Sequence, residues 1–273
     1  QNPDCRDVLF QAFHRDRIPG YNYNASSKEQ CWFWARFGLT IWRELATASL
    51  RWTDFANIRL QEDFLPHPKE SGLAMYVGAH RQARDAPYLQ HKYKLHMHIF
   101  EPSPEFFASL QKKFGGRDHY TLHNFGLGST TQQETLFRLG EASSVLDPGC
   151  AAMKSNRTVK VEVRSAAEVV NVIAAPLFLK RVDVLHMNCE SCEYEVIGAL
   201  HQAGLMSLVM HIQFQSHVMD WPETAFEDVR RPLSILSVMR YCKAHRILAK
   251  THRREWGLPW LWERWTLIAA QTS

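Results

Sequence analysis

The chain has 273 residues, of which 45% are hydrophobic and 12% aromatic, so it can bury a full core and is not expected to be disordered. Its formal net charge is only +4 and its Lys and Arg residues are scattered, which argues against a nucleic-acid-binding protein. No apolar run approaches the ~20 residues of a membrane-spanning helix.

The first part of the chain has a helical and aromatic pattern. Ser26, with Glu29 one helical turn later, forms a capping box, and apolar residues recur at helical spacing after it. Many of these residues are Trp and Phe, which would cover more than one face of a helix. The pattern predicts an N-terminal helical extension, residues 1–71, packed on a core domain of residues 72–273.

From residue 72 onward, short apolar runs alternate with amphipathic ones. The predicted strands are residues 72–80 including a turn, 95–102, 120–128, 159–165, 182–188, 208–217 and 264–271. The predicted helices are residues 83–93, 103–114, 192–204 and 223–245, with a further helix that begins at residue 166. This alternation indicates right-handed crossovers and an α/β fold with a mostly parallel, doubly wound sheet.

Sheets of this kind bind ligands at the carboxyl ends of their strands. Gly78, at the end of the first predicted strand, would let the backbone approach a ligand closely. Glu101, at the tip of the second strand, is placed to accept hydrogen bonds from both hydroxyls of a ribose. Asn188 and Glu190 follow a later strand, and His217 ends the next one. The sequence therefore predicts a ligand site at these strand ends.

Cys189 and Cys192 open the predicted helix 192–204 and admit three interpretations: a redox centre, half of a zinc site, or a disulfide. No second pair of cysteines or histidines lies at zinc-ligand spacing, and Glu190 between the two thiols would oppose thiolate formation. A structural disulfide that stiffens the turn around Glu190 is the preferred interpretation. In the cytosol the same pair would be reduced.

The segment from residue 182 to residue 193 resembles a known family. Its acidic residues fall at three positions of the pattern that FkbM-type S-adenosylmethionine-dependent methyltransferases carry after their fourth strand: Asp183, Glu190 and Glu193. Neighbouring residues replace the Lys, Asp and Gly of that pattern: His186, Asn188 and Ser191. The segments around Glu101, His123 and His217 are also similar to the family, and the resemblance covers about residues 72–267.

The resemblance implies a Rossmann-like methyltransferase fold that binds S-adenosylmethionine and transfers its methyl group to a hydroxyl. The implied cofactor-binding residues are Tyr76, Gly78, Ala79, His80, Glu101, Asn124, Ser144 and Asn188. Glu190 and His217 are the predicted catalytic residues, because both would face one crevice from neighbouring strand ends. No metal is predicted, since the family does not require one and Asn188 replaces the Asp that would be the best hard ligand.

The loop after the first strand departs from the family pattern. Tyr76, His80 and Gln82 stand where the family has Asp, Asn and Gly. Tyr76 cannot supply a carboxylate, and Gln82 does not suit a backbone with positive φ. The alternative hypothesis is therefore a catalytically inactive methyltransferase-like fold that serves as a binding or interaction domain. A dinucleotide-dependent oxidoreductase is disfavoured, because the loop lacks a Gly-x-Gly-x-x-Gly turn.

Two features bear on the compartment. N-glycosylation sequons begin at Asn24 and Asn156, and six cysteines are an even number compatible with disulfides. The Cys-Glu-Ser-Cys segment is similar to an animal, secretory-pathway branch of the family. These features predict a glycoprotein that is secreted, lies in the Golgi lumen, or forms the ectodomain of a membrane-anchored protein. Its predicted partner is a glycan or small-molecule acceptor, with no nucleic acid and no membrane span in this chain.

Overall fold

The computed structural model describes residues 64–65, 72–137, 158–174, 181–217, 235–257 and 262–268. Several predictions lie outside these ranges: nearly all of the N-terminal extension, both sequons, and the cofactor-binding role of Ser144. No helix in the described ranges has the length and apolar character needed to cross a bilayer.

The described part of the core domain alternates strands with helices, as the sequence predicts. The strands are β1 Leu73–Val77, β2 His96–Phe100, β3 Tyr120–His123, β4 Gly126–Gly128, β5 Gln132–Phe137, β6 Thr158–Ser165, β7 Val182–Met187, β8 Val209–Phe214, β9 His252–Gly257 and β10 Glu263–Leu267. The helices are α1 Ala86–Tyr93, α2 Pro104–Phe114, α3 Ala166–Ala174, α4 Cys192–Gln202 and α5 Ile235–Leu248, with a short 3₁₀ helix at Met206–Leu208.

Seven strands form the main sheet, in the order β3-β2-β1-β7-β8-β10-β9. The first five of these strands are parallel to one another, and β10 is antiparallel to both β8 and β9. Because β1 lies between β2 and β7, the chain changes direction across the sheet beside β1. Such a switch point leaves a crevice at the carboxyl ends of the strands.

Helices cover both faces of the main sheet. One apolar cluster joins α1 and α2 to one face, and its members include Ala74, Leu89, Met97 and Phe114. The other cluster joins α3, α4 and α5 to the opposite face, and its members include Met75, Val170, Leu185, Ile197 and Leu248. Successive residues of β1 therefore enter different clusters, as the pleat of a strand requires. This architecture confirms the predicted α/β class, a Rossmann-like fold with a mostly parallel, doubly wound sheet.

The predicted strand 120–128 is wrong as a single element. Its first half is β3 in the main sheet, whereas its second half is β4, which pairs with β6 in a separate three-stranded sheet of order β4-β6-β5. The break falls at Asn124 and Phe125. The side-chain amide of Asn124 donates to the backbone carbonyl of Glu101 (3.0 Å), and Phe125 turns into the core. Strands β5 and β9 were not predicted.

Candidate functional site

A cavity of about 250 Å³ opens at the switch point, at the carboxyl ends of β1, β2 and β7. The main sheet, its loops and α2 contribute Val77, Gly78, His80, Glu101, Pro102, Phe106 and Asn188, and the turn after β7 contributes Cys189, Glu190, Ser191 and Cys192. The small sheet and α4 contribute Gly126, Leu127, Ser129, Thr130, Gln132, Glu134, Leu136, Val163 and Glu195. The structure thus joins Gly78, His80, Glu101, Asn188 and Glu190 in one site.

Gly78 allows the ends of β1 and β7 to approach each other closely. Its φ is +77°, and a Cβ atom at this position would lie 2.1 Å from the backbone oxygen of Asn188. A hydrogen bond also holds the two strand ends together, since the amide of Asn188 donates to the carbonyl of Val77 (2.9 Å). Any other residue at position 78 would separate the two strand ends, so glycine is required here.

Beyond Gly78, the loop after β1 accommodates its unusual sequence without a second glycine. Positive φ occurs at His80 (52°) and Ala83 (41°), and Gln82 is not among the residues with positive φ. The family pattern predicts positive φ at Gln82, which would strain a non-glycine residue, and the backbone there does not have it. The amide of His80 donates to a carboxylate oxygen of Glu101 (2.7 Å), and its ring packs edge-on against Phe106 with centroids 4.2 Å apart.

Glu101 is the central acidic group of the cavity and is only 5% exposed. Its two carboxylate oxygens accept the amides of His80 (2.7 Å) and Ser103 (2.9 Å). Burial raises the pKa of Glu101 to about 7, although these two hydrogen bonds act in the opposite direction. Each carboxylate oxygen has more than one acceptor site, so Glu101 can also accept hydrogen bonds from a ligand.

The turn after β7 is closed by a disulfide between Cys189 and Cys192, whose Cα atoms are 5.4 Å apart. The predicted disulfide is therefore confirmed. Cys189, Cys192 and Glu193 form a cluster of potential metal ligands, but the two sulfurs are bonded to each other and offer no thiolate. The two residues between the cysteines, Glu190 and Ser191, both have positive φ, 54° and 84°. With this backbone conformation, Glu190 lies at the cavity wall.

His217 lies behind this turn, buried between two carboxylates. Its Nδ1 is 2.8 Å from Oε1 of Glu193, which also accepts the backbone amide of His217 (3.1 Å). Its Nε2 is 3.4 Å from Oε1 of Glu190. Burial alone would lower the pKa of His217, but the negative charges of Glu190 and Glu193 outweigh it and raise the pKa to about 10. His217 is therefore an imidazolium at neutral pH and cannot accept a proton there.

Four predicted site residues in the described ranges do not line the cavity: Tyr76, Ala79, Asn124 and His217. Tyr76 belongs to the core on the α1 and α2 face, where its ring stacks on His186 with centroids 4.3 Å apart. Ala79 is also buried in that core, and Asn124 is exposed and supports the backbone at Glu101. Sequence analysis missed the wall formed by the small sheet, because the polar strand β5 gives only a weak apolar pattern.

Ser191 occupies the position where the family pattern has glycine, and its backbone has φ 84°. We expect Ser191→Gly to raise the free energy of unfolding by roughly 0.5–1 kcal/mol, because a non-glycine residue in the left-handed region is strained. The hydrogen bond that the substitution removes, from Oγ to the carbonyl of His217, is long at 3.4 Å. Urea unfolding without reductant would measure the change.

The matched control for this substitution is Ser207→Gly. Ser207 is exposed in the 3₁₀ helix and is not among the residues with positive φ, so the added backbone freedom should lower stability by roughly 0.5–1 kcal/mol. Opposite signs for the two substitutions are expected. Equal losses at both positions would show that Ser191 is not strained.

No family model matches the sequence, and no curated protein matches it significantly. Among solved structures, the chain is similar to the Methanococcus jannaschii fibrillarin pre-rRNA processing protein, with 11% identity over 75% of this chain and 70% of that chain and a TM-score of 0.37. It is also similar to a mutant of MtNAS, with 11% identity over 90% and 77% of the two chains and a TM-score of 0.35. The complex of that mutant with S-adenosylmethionine gives 10% identity, 89% and 80% coverage, and a TM-score of 0.33. The assignment of fold class rests on the sheet order of this chain, not on these likenesses.

Proposed function

We propose that the protein is an S-adenosylmethionine-dependent methyltransferase that acts on a hydroxyl of a glycan or another small molecule. The observation that carries this proposal is the cavity at the switch point, where Gly78 brings two strand ends together and Glu101 and Glu190 line the walls. A volume of about 250 Å³ is close to the lower end of the range for small-molecule sites.

The residues present suit the proposed cofactor. Glu101 stands at the end of β2, where a carboxylate can accept hydrogen bonds from both ribose hydroxyls. The side-chain oxygen of Asn188 is buried at the cavity wall and has no hydrogen-bond partner among the described residues. A buried acceptor without a donor is costly, and a hydroxyl or amine of a ligand would satisfy it. Glu101 and Asn188 would thus hold the cofactor, which supplies an activated methyl group when bound.

Glu190 is the proposed general base. Methyl transfer requires that the acceptor oxygen be held in line with the methyl group and that its proton be taken up. Glu190 lines the cavity, and its Oε1 lies 3.4 Å from Nε2 of His217. His217 itself cannot be the base, since its pKa is raised to about 10. We therefore assign His217 the role of positioning Glu190, which revises the catalytic role that the sequence suggests for it.

Calorimetric titration with S-adenosylmethionine and S-adenosylhomocysteine tests the cofactor assignment. Glu101→Ala should weaken binding of both at least tenfold, because each charge-assisted hydrogen bond to a ribose hydroxyl contributes about 1.5–3 kcal/mol. Glu105→Ala is the control, since Glu105 is exposed on α2 and pairs with Arg81 at the surface. The Glu105→Ala variant should bind both compounds as tightly as the parent does. If Glu101→Ala binds as tightly as the parent, the ribose assignment is wrong.

One observation favours a second candidate, an inactive methyltransferase-like binding domain. The family's loop after β1 begins with an Asp, whereas Tyr76 directs its side chain into the core and offers no carboxylate. A parent protein that binds neither cofactor form in the titration would support this candidate over the enzyme.

The proposed compartment is the lumen of the secretory pathway or the exterior of the cell. The Cys189–Cys192 disulfide supports it, and Cys242 on α5 is also disulfide-bonded. Disulfides persist in oxidising compartments and are rare in the cytosol. The sequons at Asn24 and Asn156 would be glycosylated only there.

A further inference from the structure

Three histidines that do not line the cavity gather on one face of the main sheet at its β2–β3 edge. His96 and His98 are two residues apart on β2 and therefore point to the same face. His123 lies on β3, where it pairs with Phe100, the next residue of that face. His98 and His123 are thus diagonal neighbours on adjacent strands, and all three imidazoles are partly exposed.

The nitrogen atoms of two of these rings already lie at a distance suited to metal binding. Nδ1 of His98 is 3.0 Å from Nε2 of His123. Two imidazole nitrogens bound to one tetrahedral zinc ion at 2.0–2.1 Å would be about 3.3 Å apart. A shift of a few tenths of an ångström, with a rotation of the rings, would therefore let both nitrogens bind one ion.

His96 can provide a third ligand. Its ring centroid is 5.1 Å from that of His98, and its Nε2 is hydrogen-bonded to Oγ1 of Thr121 (2.8 Å). To become a ligand, His96 would have to exchange this hydrogen bond for a metal bond and turn its ring toward the pair. Three histidines with one position left to water form a known zinc coordination set.

We propose that His98 and His123, with His96 as a third ligand, form a binding site for a divalent transition-metal ion such as zinc. The ligands are imidazoles, which suit zinc, copper and nickel rather than magnesium or calcium. The ion would stabilise the pairing of β2 with β3, whose last hydrogen bond joins the amide of Glu101 to the carbonyl of His123 (3.0 Å). This inference does not depend on the proposed methyl transfer.

Calorimetric titration of the full chain with zinc chloride at pH 7.5, after removal of metal with a chelator, tests the site. One equivalent of zinc should bind saturably, and magnesium should not. Loss of one ligand should weaken zinc binding at least tenfold, so His98→Asn and His123→Gln, on separate strands, should each show this loss. His91→Asn is the control, because His91 is exposed and lies on α1, which packs on the opposite face of the main sheet.

Thermal unfolding in chelator shows whether each variant is folded, and the variant that melts cooperatively decides the outcome. Zinc should also raise the melting temperature of the parent, since a ligand that binds only the folded state stabilises it. The proposal is overturned if the parent shows no saturable zinc binding, or if a folded His98 or His123 variant binds zinc as tightly as the parent.

Discussion

Glu193→Gln is expected to lower the free energy of unfolding by about 3 kcal/mol or more, because it removes one partner of a buried ion pair. The side chain of Glu193 is fully buried, and one of its oxygens accepts both the ring and the backbone amide of His217. Glutamine keeps the volume but not the charge, so among the described residues Glu190 would be the one carboxylate left beside His217. Urea unfolding at pH 7 without reductant would measure the loss.

Glu195→Gln is the matched control for this substitution. Glu195 lies on the same helix, α4, but is exposed, and exposed substitutions of this kind usually change stability by less than about 0.5 kcal/mol. A loss below about 1 kcal/mol in Glu193→Gln would contradict the prediction that His217 depends on this carboxylate.

The same ion pair predicts a dependence on pH. The pKa of His217 is raised from 6.5 to about 10 in the folded chain, so its stabilising effect is fully present below pH 6.5 and is lost as the pH rises through 10. The free energy of unfolding of the parent should fall between pH 7 and pH 10 by more than that of Glu193→Gln. Parallel curves for the two proteins would show that another group controls the dependence.

Glu190→Gln is expected to lower methyl transfer by about 10²-fold or more while the affinity for S-adenosylmethionine stays nearly unchanged. The reason is that Glu190 is the proposed base, whereas Glu101 and Asn188 are the residues proposed to hold the cofactor, and all three line the cavity. Release of S-adenosylhomocysteine with a panel of hydroxyl-bearing acceptors would measure the rate, and calorimetry would measure the affinity.

The role of His217 is tested by the rate of the same reaction. His217→Gln removes the ring whose Nε2 lies 3.4 Å from Oε1 of Glu190, so methyl transfer should fall while the affinity for S-adenosylmethionine stays near that of the parent. Added to Glu190→Gln, it should cause no further loss of rate, because His217 acts through Glu190. If Glu190→Gln retains the parent rate with an acceptor that supports turnover, Glu190 is not the base.

Much of the site could be predicted because strand ends are marked in the sequence. β1, β2 and β7 are short apolar runs, and the polar or glycine residue after each run identifies the carboxyl end. Parallel strands bring those ends to one edge, so Gly78, Glu101 and Asn188 meet without any knowledge of tertiary contacts.

The remaining features depend on information that no local pattern contains. All of β1 is buried, so its sequence does not show that Tyr76 faces α1 and α2 instead of lining the cavity. Likewise, the charge of His217 depends on carboxylates 24 and 27 positions earlier in the chain, Glu193 and Glu190. The small sheet was missed because β4 has only three residues and its partner β6 begins far along the chain.

One wall of the cavity belongs to the main sheet, and the opposite wall belongs to the small sheet. Glu101 and Asn188 belong to the main sheet and are tied into its packing, whereas Gln132, Glu134 and Leu136 lie on β5, an edge strand whose first residues are exposed. Substitutions at exposed edge positions usually cost little stability. Related chains could therefore diverge in what they accept by changes along β5 alone, while the half of the cavity built by the main sheet stays the same.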